Sequence, residues 1–428
     1  MTRSTLLAVA LLAAPRVAVG QIADLDADPI RYKTATADNP VGRLDEKLRR
    51  SEVTFRHTDD HGYLAAVLKA LDVPQSSQVL VFSKTSFQRD RITPKTPRAL
   101  YFNDEVTVGF CLRGDVLEFS AADPTLGTAF YTLDQDPTER AQFVRQTDNC
   151  LTCHGSSRTQ GYPGHLLRSV FTDRYGQPIL SAGTYMTDHG SPFDKRWGGW
   201  YVTGTHGPQA HMGNFVAQTK RNPEAEDNSA GQNVTDLRGR FTVANYLTPH
   251  SDLVALMVFE HQTEMQNRLA RAALLTRQAV HYQATLNKEL GEPAGKVWES
   301  TGRRIAAAGE PVVQYLLFSG ETKLTAPIAG TSGFAEEFAK RGPADKQGRS
   351  LRQFDLTTRL FKYPCSPQIY TAAFAKLPAE VKEFVIRRLH EVLTGKDTSA
   401  AFAHLSADDR RAVREILKDT LPGLPDWF

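Results

Sequence analysis

The sequence predicts an α+β fold, in which a mixed, β-rich unit over residues 21–240 precedes a mainly α-helical unit over residues 241–428. In the first unit, short β-branched or aromatic runs alternate with Pro, Gly, Asn and Asp, the pattern of an antiparallel sheet. In the second unit, apolar residues recur at intervals of three and four, as on one side of a helix. A chain of 428 residues also exceeds what one hydrophobic core usually supports, which favours two units.

The first twenty residues have the features of a secretory signal peptide. Arg3 supplies a positive start, Thr5–Ala14 is apolar, and Ala18-Val19-Gly20 is a small-residue cleavage site. The apolar run has about ten residues, whereas a membrane-spanning helix needs roughly 20. We therefore expect cleavage, a periplasmic or secreted protein, and no transmembrane segment in the mature chain.

The β-rich unit is expected to begin with helix and to continue as a small antiparallel sheet. Leucine and valine recur at helical intervals within Leu44–Leu71. Five later runs have the composition of strands: Val79–Phe82, Leu100–Phe102, Val106–Leu112, Val116–Phe119 and Ala129–Leu133.

The remainder of this unit is predicted to be less regular. Thr138–Gln146 is expected to form a short helix, and Val170–Thr172 is expected to pair with Pro178–Tyr185 as a hairpin. Trp197–Gly204 has the composition of a further strand. Thr219–Gly231 is polar and lacks large apolar residues, which is typical of a linker or a long surface loop.

The second unit is predicted to be helical as far as about Asp419. Its clearest helix runs from His250 to about Leu290, and breaks are expected at Gly342-Pro343 and Tyr363-Pro364.

The charge of the chain argues against nucleic acid as a partner. The 51 basic and 48 acidic residues nearly cancel, leaving a formal charge of +3. The basic residues are scattered, and no nucleic-acid-binding motif accompanies them.

One motif carries specific chemistry. Cys150-Leu151-Thr152-Cys153-His154 is a CxxCH sequence, whose two thiols can reach the two vinyl groups of one haem while the adjacent imidazole meets the iron. The motif occurs once, so we predict one covalent haem c, held by Cys150 and Cys153, with His154 as an axial iron ligand.

Three other interpretations of the two cysteines remain open, namely a redox dithiol, half of a zinc site and a structural disulfide. A thioredoxin-like dithiol is expected in a βαβ context that the local pattern lacks. Zinc needs two further ligands, and only His165 follows nearby. The remaining cysteines, Cys111 and Cys365, can pair in an oxidising compartment or can both be buried thiols.

The second axial ligand of the iron decides the function, because methionine or histidine gives an electron carrier and an open position permits ligand chemistry. The candidates soon after the motif are Met186, His189, His206, His211 and Met212.

A further candidate, His261, is expected to project from the apolar face of the long helix together with Met257 and Met265. Trp197-Gly198-Gly199-Trp200-Tyr201 can contribute aromatic walls to a haem pocket or form a strand of the core, and Arg196 can pair with a haem propionate.

The motif Cys150–His154, the segment Phe193–Gly213 and the run Phe361–Tyr370 together resemble a family of exported cytochrome c domain proteins. The resemblance extends over most of the mature chain. It implies one covalent haem, iron binding and electron transfer.

The sequence thus predicts a periplasmic mono-haem cytochrome that exchanges electrons with a redox partner protein. Two alternatives are a haem enzyme, such as a peroxidase or a small-molecule dehydrogenase, and a haem-based sensor, because the chain is much longer than a minimal cytochrome.

Overall fold

The computed structural model describes residues 24–428. The signal peptide predicted for residues 1–20 lies outside the described residues. Within the described range, no α-helix combines the length and the hydropathy needed to cross a membrane.

The β-rich first part of the chain contains the strands. They are β1 Val79–Val81, β2 Arg98–Phe102, β3 Val106–Phe110, β4 Val116–Asp123, β5 Gly127–Asp134, β6 Phe143–Gln146, β7 Arg168–Ser169, β8 Tyr185–Met186 and β9 Trp200–Tyr201. Seven of them form one antiparallel sheet in the order β6-β5-β4-β3-β2-β1-β9, and β7 pairs separately with β8.

Most of the helical residues follow in the second part of the chain. The α-helices are α1 Pro40–Arg49, α2 Leu64–Ala70, α3 Leu151–His154, α4 Leu253–Glu289, α5 Glu299–Leu316, α6 Phe334–Ala339, α7 Ala372–Ala375, α8 Ala379–Leu393 and α9 Ala407–Thr420. The predicted α+β class, with a β-rich part followed by a helical part, is confirmed.

The two faces of the large sheet differ in chemistry, because successive side chains of a strand point to opposite sides. One face carries apolar side chains that pack with α1 and α2 in a common core, among them Tyr101, Val108 and Phe119. The strand register places a polar set on the other face between β2 and β6, which we call the polar face: Arg98, Thr107, Glu118, Ser120, Thr132 and Gln146.

Helix α4 connects the sheet to the other helices. Its 37 residues span about 55 Å at 1.5 Å per residue. Asp252 caps its first turn by accepting the N–H groups of Val254 and Ala255 at 2.9 and 3.0 Å. The residues Leu253–Phe259 share a core with strands β1 and β2, and later residues pack with α5, α8 and α9.

The two helices predicted for the β-rich part differ from the structure. The region Leu44–Leu71 is two helices, α1 and α2, because the residues between them have no helical apolar repeat and turn back through a bridge between Thr58 and Gly62. Thr138–Gln146 contains the edge strand β6 instead of a helix. Phe143 pairs with Leu133 and enters the core, so sheet pairing outweighs local helix propensity.

The polar segment Thr219–Gly231 is irregular, as predicted, but it is not a free linker. Asn228 donates from Nδ2 to the carbonyls of His211 and Gly213 at 3.0 and 3.1 Å. The Gln232 amide, just beyond the segment, donates to the carbonyl of His211 at 3.0 Å. The amide side chains that made the segment look solvated therefore hold the loop around His211.

Candidate functional site

The CxxCH motif forms a single turn of helix. Cys150 caps α3, and its carbonyl accepts the N–H groups of Cys153 and His154 at 3.2 and 2.9 Å. Residues three apart on a helix lie on the same side, so the two sulfurs project in one general direction. Both thiols are free; Cys150 is half-buried and Cys153 is exposed.

The imidazole of His154 is held by a backbone carbonyl. Its Nδ1 lies 2.8 Å from the carbonyl oxygen of Gly164, and the Gly164 N–H donates to the His154 carbonyl at 2.9 Å. A carbonyl can only accept, so Nδ1 carries the proton and Nε2 keeps its lone pair. Burial lowers the pKa of His154, which also favours the neutral, ligand-competent form.

The motif lies against the polar face of the sheet. The ring of Phe130 contacts the His154 ring with centroids 4.8 Å apart, and Phe130 is paired with Ser120 across β4 and β5. Nearby, Arg98 forms an ion pair with Glu118. Burial, followed by the charge of Glu118, raises the pKa of the Cys150 thiol to about 11.

His165 connects the motif to α4. Its N–H donates to Oδ1 of Asn267 at 2.7 Å, and Nδ2 of Asn267 donates back to the His165 carbonyl at 3.0 Å. Its Nε2 lies 3.0 Å from Oγ of Ser120. The sequence offered His165 only as a zinc candidate, because the partner Asn267 is remote along the chain and no local pattern links the two residues.

His261 lies in a buried pair with His189. The two Nδ1 atoms are 2.9 Å apart. Nε2 of His189 lies 3.2 Å from the Ser319 carbonyl, and Nε2 of His261 lies 2.7 Å from Oγ of Ser366. The Ser319 carbonyl can only accept, so Nε2 of His189 carries a proton. Nδ1 of His189 then accepts from Nδ1 of His261, and Nε2 of His261 accepts from the hydroxyl of Ser366. All four ring nitrogens are thus hydrogen-bonded. Iron ligation by His261 stays a prediction, and it would require one of these hydrogen bonds to break.

The candidates His206, His211 and Met212 come together, and one ring nitrogen of each histidine and the methionine sulfur are hydrogen-bonded within the chain. The rings of His206 and His211 have centroids 4.7 Å apart. Nε2 of His206 accepts the N–H of Asn233 at 2.9 Å, and Nδ1 of His211 accepts the N–H of Gly213 at 3.0 Å. The Met212 sulfur accepts the Ser169 hydroxyl at 3.6 Å.

The aromatic segment after Arg196 belongs to the core. Trp197 and Trp200 are buried and pack with the first turns of α4. Arg196 donates to Glu260 at 3.1 Å with both side chains buried, so this guanidinium is already paired within the chain instead of being free for a propionate.

The sequence also left open a zinc site and a disulfide between Cys111 and Cys365. Over residues 24–428, no three His, Cys, Asp or Glu side chains group together as a metal site. Cys111 and Cys365 are separate, buried, free thiols.

Comparisons with known proteins returned nothing: no protein-family model, curated protein or solved structure matches the chain. The resemblance to exported cytochrome c domain proteins therefore stays a prediction.

Proposed function

We propose that the protein is a c-type cytochrome that carries one covalent haem on Cys150 and Cys153, with His154 as an axial ligand, and transfers electrons to a partner protein outside the cytoplasm. The observation that carries the proposal is the 2.8 Å contact between Nδ1 of His154 and the Gly164 carbonyl. Histidines that bind metals are commonly oriented by such a second hydrogen bond, which fixes the tautomer and increases the basicity of the free nitrogen.

The residues of the motif fit the group. Each free thiol can add across one vinyl group, with sulfur bonding to one carbon and hydrogen to the other, so no oxidant is needed. The haem, when bound, supplies an iron that cycles between the ferric and ferrous states. His154 would hold the iron through Nε2, because the hydrogen bond from Nδ1 to the carbonyl of Gly164 fixes the orientation of the ring.

The raised pKa of Cys150 argues against a redox dithiol. The attacking thiol of such a motif has a lowered pKa, whereas partial burial raises the pKa of Cys150 to about 11. A neutral thiol is a poor nucleophile for disulfide exchange at neutral pH.

Covalent attachment is directly testable. We expect the chain, exported in a host with haem maturation machinery, to retain haem on a denaturing gel and to show the added mass of one haem. The double substitution Cys150→Ala and Cys153→Ala should abolish the stain, because both thioether bonds are lost.

A matched control removes the two thiols that lie outside the motif. Cys111→Ala with Cys365→Ala should keep the haem stain, since both side chains are buried elsewhere. A colourless parent protein, or a haem stain that survives loss of the motif thiols, would contradict the proposal.

A cytochrome that only transfers electrons should differ in its optical spectrum from a haem enzyme or a haem sensor. We expect a six-coordinate, low-spin haem whose spectrum does not change with peroxide, cyanide or carbon monoxide, because both axial positions are filled. High-spin iron that binds these ligands rapidly would instead favour a haem enzyme or a sensor.

A further inference from the structure

One peptide group lies between the imidazole of His154 and helix α4. It is the peptide that joins Gly164 to His165, so its carbonyl belongs to Gly164 and its N–H belongs to His165. The carbonyl oxygen lies 2.8 Å from Nδ1 of His154, and the N–H donates to Oδ1 of Asn267 at 2.7 Å. The two hydrogen bonds therefore lie at opposite ends of one conjugated group.

The orientation of the Asn267 amide is fixed by its partners. A backbone N–H can only donate and a carbonyl can only accept, so Oδ1 faces the His165 N–H, and Nδ2 donates to the His165 carbonyl at 3.0 Å. Nδ2 also donates to Oε2 of Glu264 at 3.3 Å, and Arg268 donates to the other oxygen of that carboxylate at 2.8 Å. Asn267 is thus held from its own helix and presents an acceptor to the peptide.

The close approach of this amide requires glycine at position 164. A Cβ atom built on Gly164 would lie 2.6 Å from Oδ1 and 3.2 Å from Cγ of Asn267, which is inside van der Waals contact. A side chain at this position would push the amide away from the peptide. The loop after the motif and the amide of α4 are therefore fitted to each other at this point.

Hydrogen bonds at the two ends of a peptide strengthen each other. When Asn267 accepts the N–H, the Gly164 carbonyl becomes more polarised and accepts more strongly from His154. A stronger hydrogen bond at Nδ1 makes the Nε2 lone pair more basic. On haem iron, a more basic imidazole stabilises the ferric state relative to the ferrous state, which lowers the reduction potential.

We infer that Asn267 is a positioning residue that lowers the reduction potential of the haem, an inference that rests on the proposed function. It acts through the peptide between Gly164 and His165, which transmits its hydrogen bond to the imidazole of His154. Helix α4, which is remote from the motif along the chain, thereby takes part in setting the potential.

The test measures the reduction potential of the haem-loaded protein at pH 8 in two variants of Asn267. Both variants remove the donor to the His165 carbonyl, and they differ in what they offer the N–H. Asn267→Leu offers no acceptor, so the ferric-to-ferrous equilibrium should shift roughly threefold to tenfold toward ferrous, which is about 30 to 60 mV at 59 mV per tenfold. Asn267→Asp offers a carboxylate oxygen, which accepts more strongly than an amide, so its potential should be no higher than that of the parent.

Gln278→Leu is a matched control on the same helix. The Tyr162 hydroxyl donates to Oε1 of Gln278 at 3.0 Å, so this variant also removes a hydrogen bond between α4 and the loop after the motif. It leaves the peptide between Gly164 and His165 untouched, and its potential should match that of the parent. The optical spectra of all three variants should keep the spin state of the parent, because the axial ligands are unchanged.

A second measurement does not need haem. In the haem-free chain with isotope-labelled histidine, nuclear magnetic resonance can follow the proton on Nδ1 of His154. This proton should exchange with water faster in Asn267→Leu than in the parent, because its hydrogen bond to the Gly164 carbonyl is weaker. In Gln278→Leu the exchange should be as slow as in the parent.

The outcomes separate this inference from the proposed function. A parent that carries covalent haem and whose potential is unchanged in Asn267→Leu overturns this inference alone. Equal upward shifts in Asn267→Leu and Asn267→Asp, or an equal shift in Gln278→Leu, also overturn it, since they would reflect lost packing of α4. A parent without covalent haem overturns the proposed function, and this inference with it.

Discussion

Lowering the pH from 7 to 4.5 should reduce the free energy of unfolding by about 5 kcal/mol, because buried neutral histidines take up protons only when the chain unfolds. Burial lowers the pKa of His165, His189 and His211 to about 3. It also lowers that of His261 well below its ordinary value. The unfolded chain binds these protons below a pKa of about 6.5.

The sign and size follow from proton binding. Between about pH 6.5 and pH 3 the unfolded state holds more protons, so stability rises with pH in that window. Each of the three histidines with a pKa of about 3 then costs roughly 2 to 3 kcal/mol at pH 4.5 relative to pH 7, and His261 adds a cost in the same direction. Burial raises the pKa of both Glu260 and Glu321 to about 7, and each of these offsets roughly 2 to 3 kcal/mol by binding its proton in the folded state.

Mutation can isolate the contribution of His189 and His261 to the loss of stability at low pH. His189 and His261 lie between the rings of Tyr315 and Phe318, at centroid distances of 3.9 and 4.2 Å from the nearer histidine. Charging either imidazole would break the chain of hydrogen bonds without offering a carboxylate partner.

Urea unfolding at several pH values checks the prediction. The parent should lose stability steeply below pH 6.5. The double substitution His189→Gln and His261→Gln should be less stable at pH 7, and its stability should fall less steeply below that, with about two fewer protons taken up on unfolding. A stability that is flat from pH 7 to pH 4.5 would show that the histidines are not buried as described.

Arg196→Met should destabilise the protein by about 3 to 5 kcal/mol, because it leaves the carboxylate of Glu260 buried without its counter-charge. The two side chains are 2% and 0% exposed. Arg196 also donates to the carbonyls of His189 and Ser191 at 2.8 Å, so the variant leaves these acceptors without their donor.

The pH dependence of this variant distinguishes a charge effect from lost packing. Burial raises the pKa of Glu260 to about 7 even with the arginine present. Without Arg196 the carboxyl group should remain protonated to higher pH. The loss measured by chemical denaturation should therefore be larger at pH 8 than at pH 6.

Two controls complete the comparison. Arg303→Met removes an exposed partner of Glu299 and should cost less than about 1 kcal/mol. The double substitution Arg196→Met and Glu260→Gln should recover part of the loss, since no buried charge remains. Equal destabilisation by Arg196→Met and Arg303→Met would argue against a buried ion pair.

The sequence predicted those features that depend on residues close together along the chain. The alternating runs between Val79 and Leu133 identified five strands, and the apolar repeat from His250 identified α4. The same local reasoning assigned helix to Thr138–Gln146, where pairing with β5 produces a strand. Secondary structure that is decided by pairing with another strand has no signature within the segment itself.

Only part of the candidate site could likewise be predicted from the sequence. The motif Cys150–His154 could be recognised because its chemistry fixes the spacing. The contacts of Asn267 with His165 and of His189 with His261 join residues that no repeat connects. The apolar periodicity around His261 correctly indicated burial, but periodicity cannot reveal whether a buried imidazole meets iron or another imidazole.

The contacts around the motif also imply an order of events during biogenesis. The contact between His154 and Gly164 closes a loop of ten residues, which needs only the local chain and forms in well under a microsecond. The contact between His165 and Asn267 has to wait for α4, which is synthesised later, since chains emerge from the N-terminus first. The turn that carries the two cysteines can thus form before α4 is present to hold His165, and an attaching enzyme would have access to the thiols from that early stage.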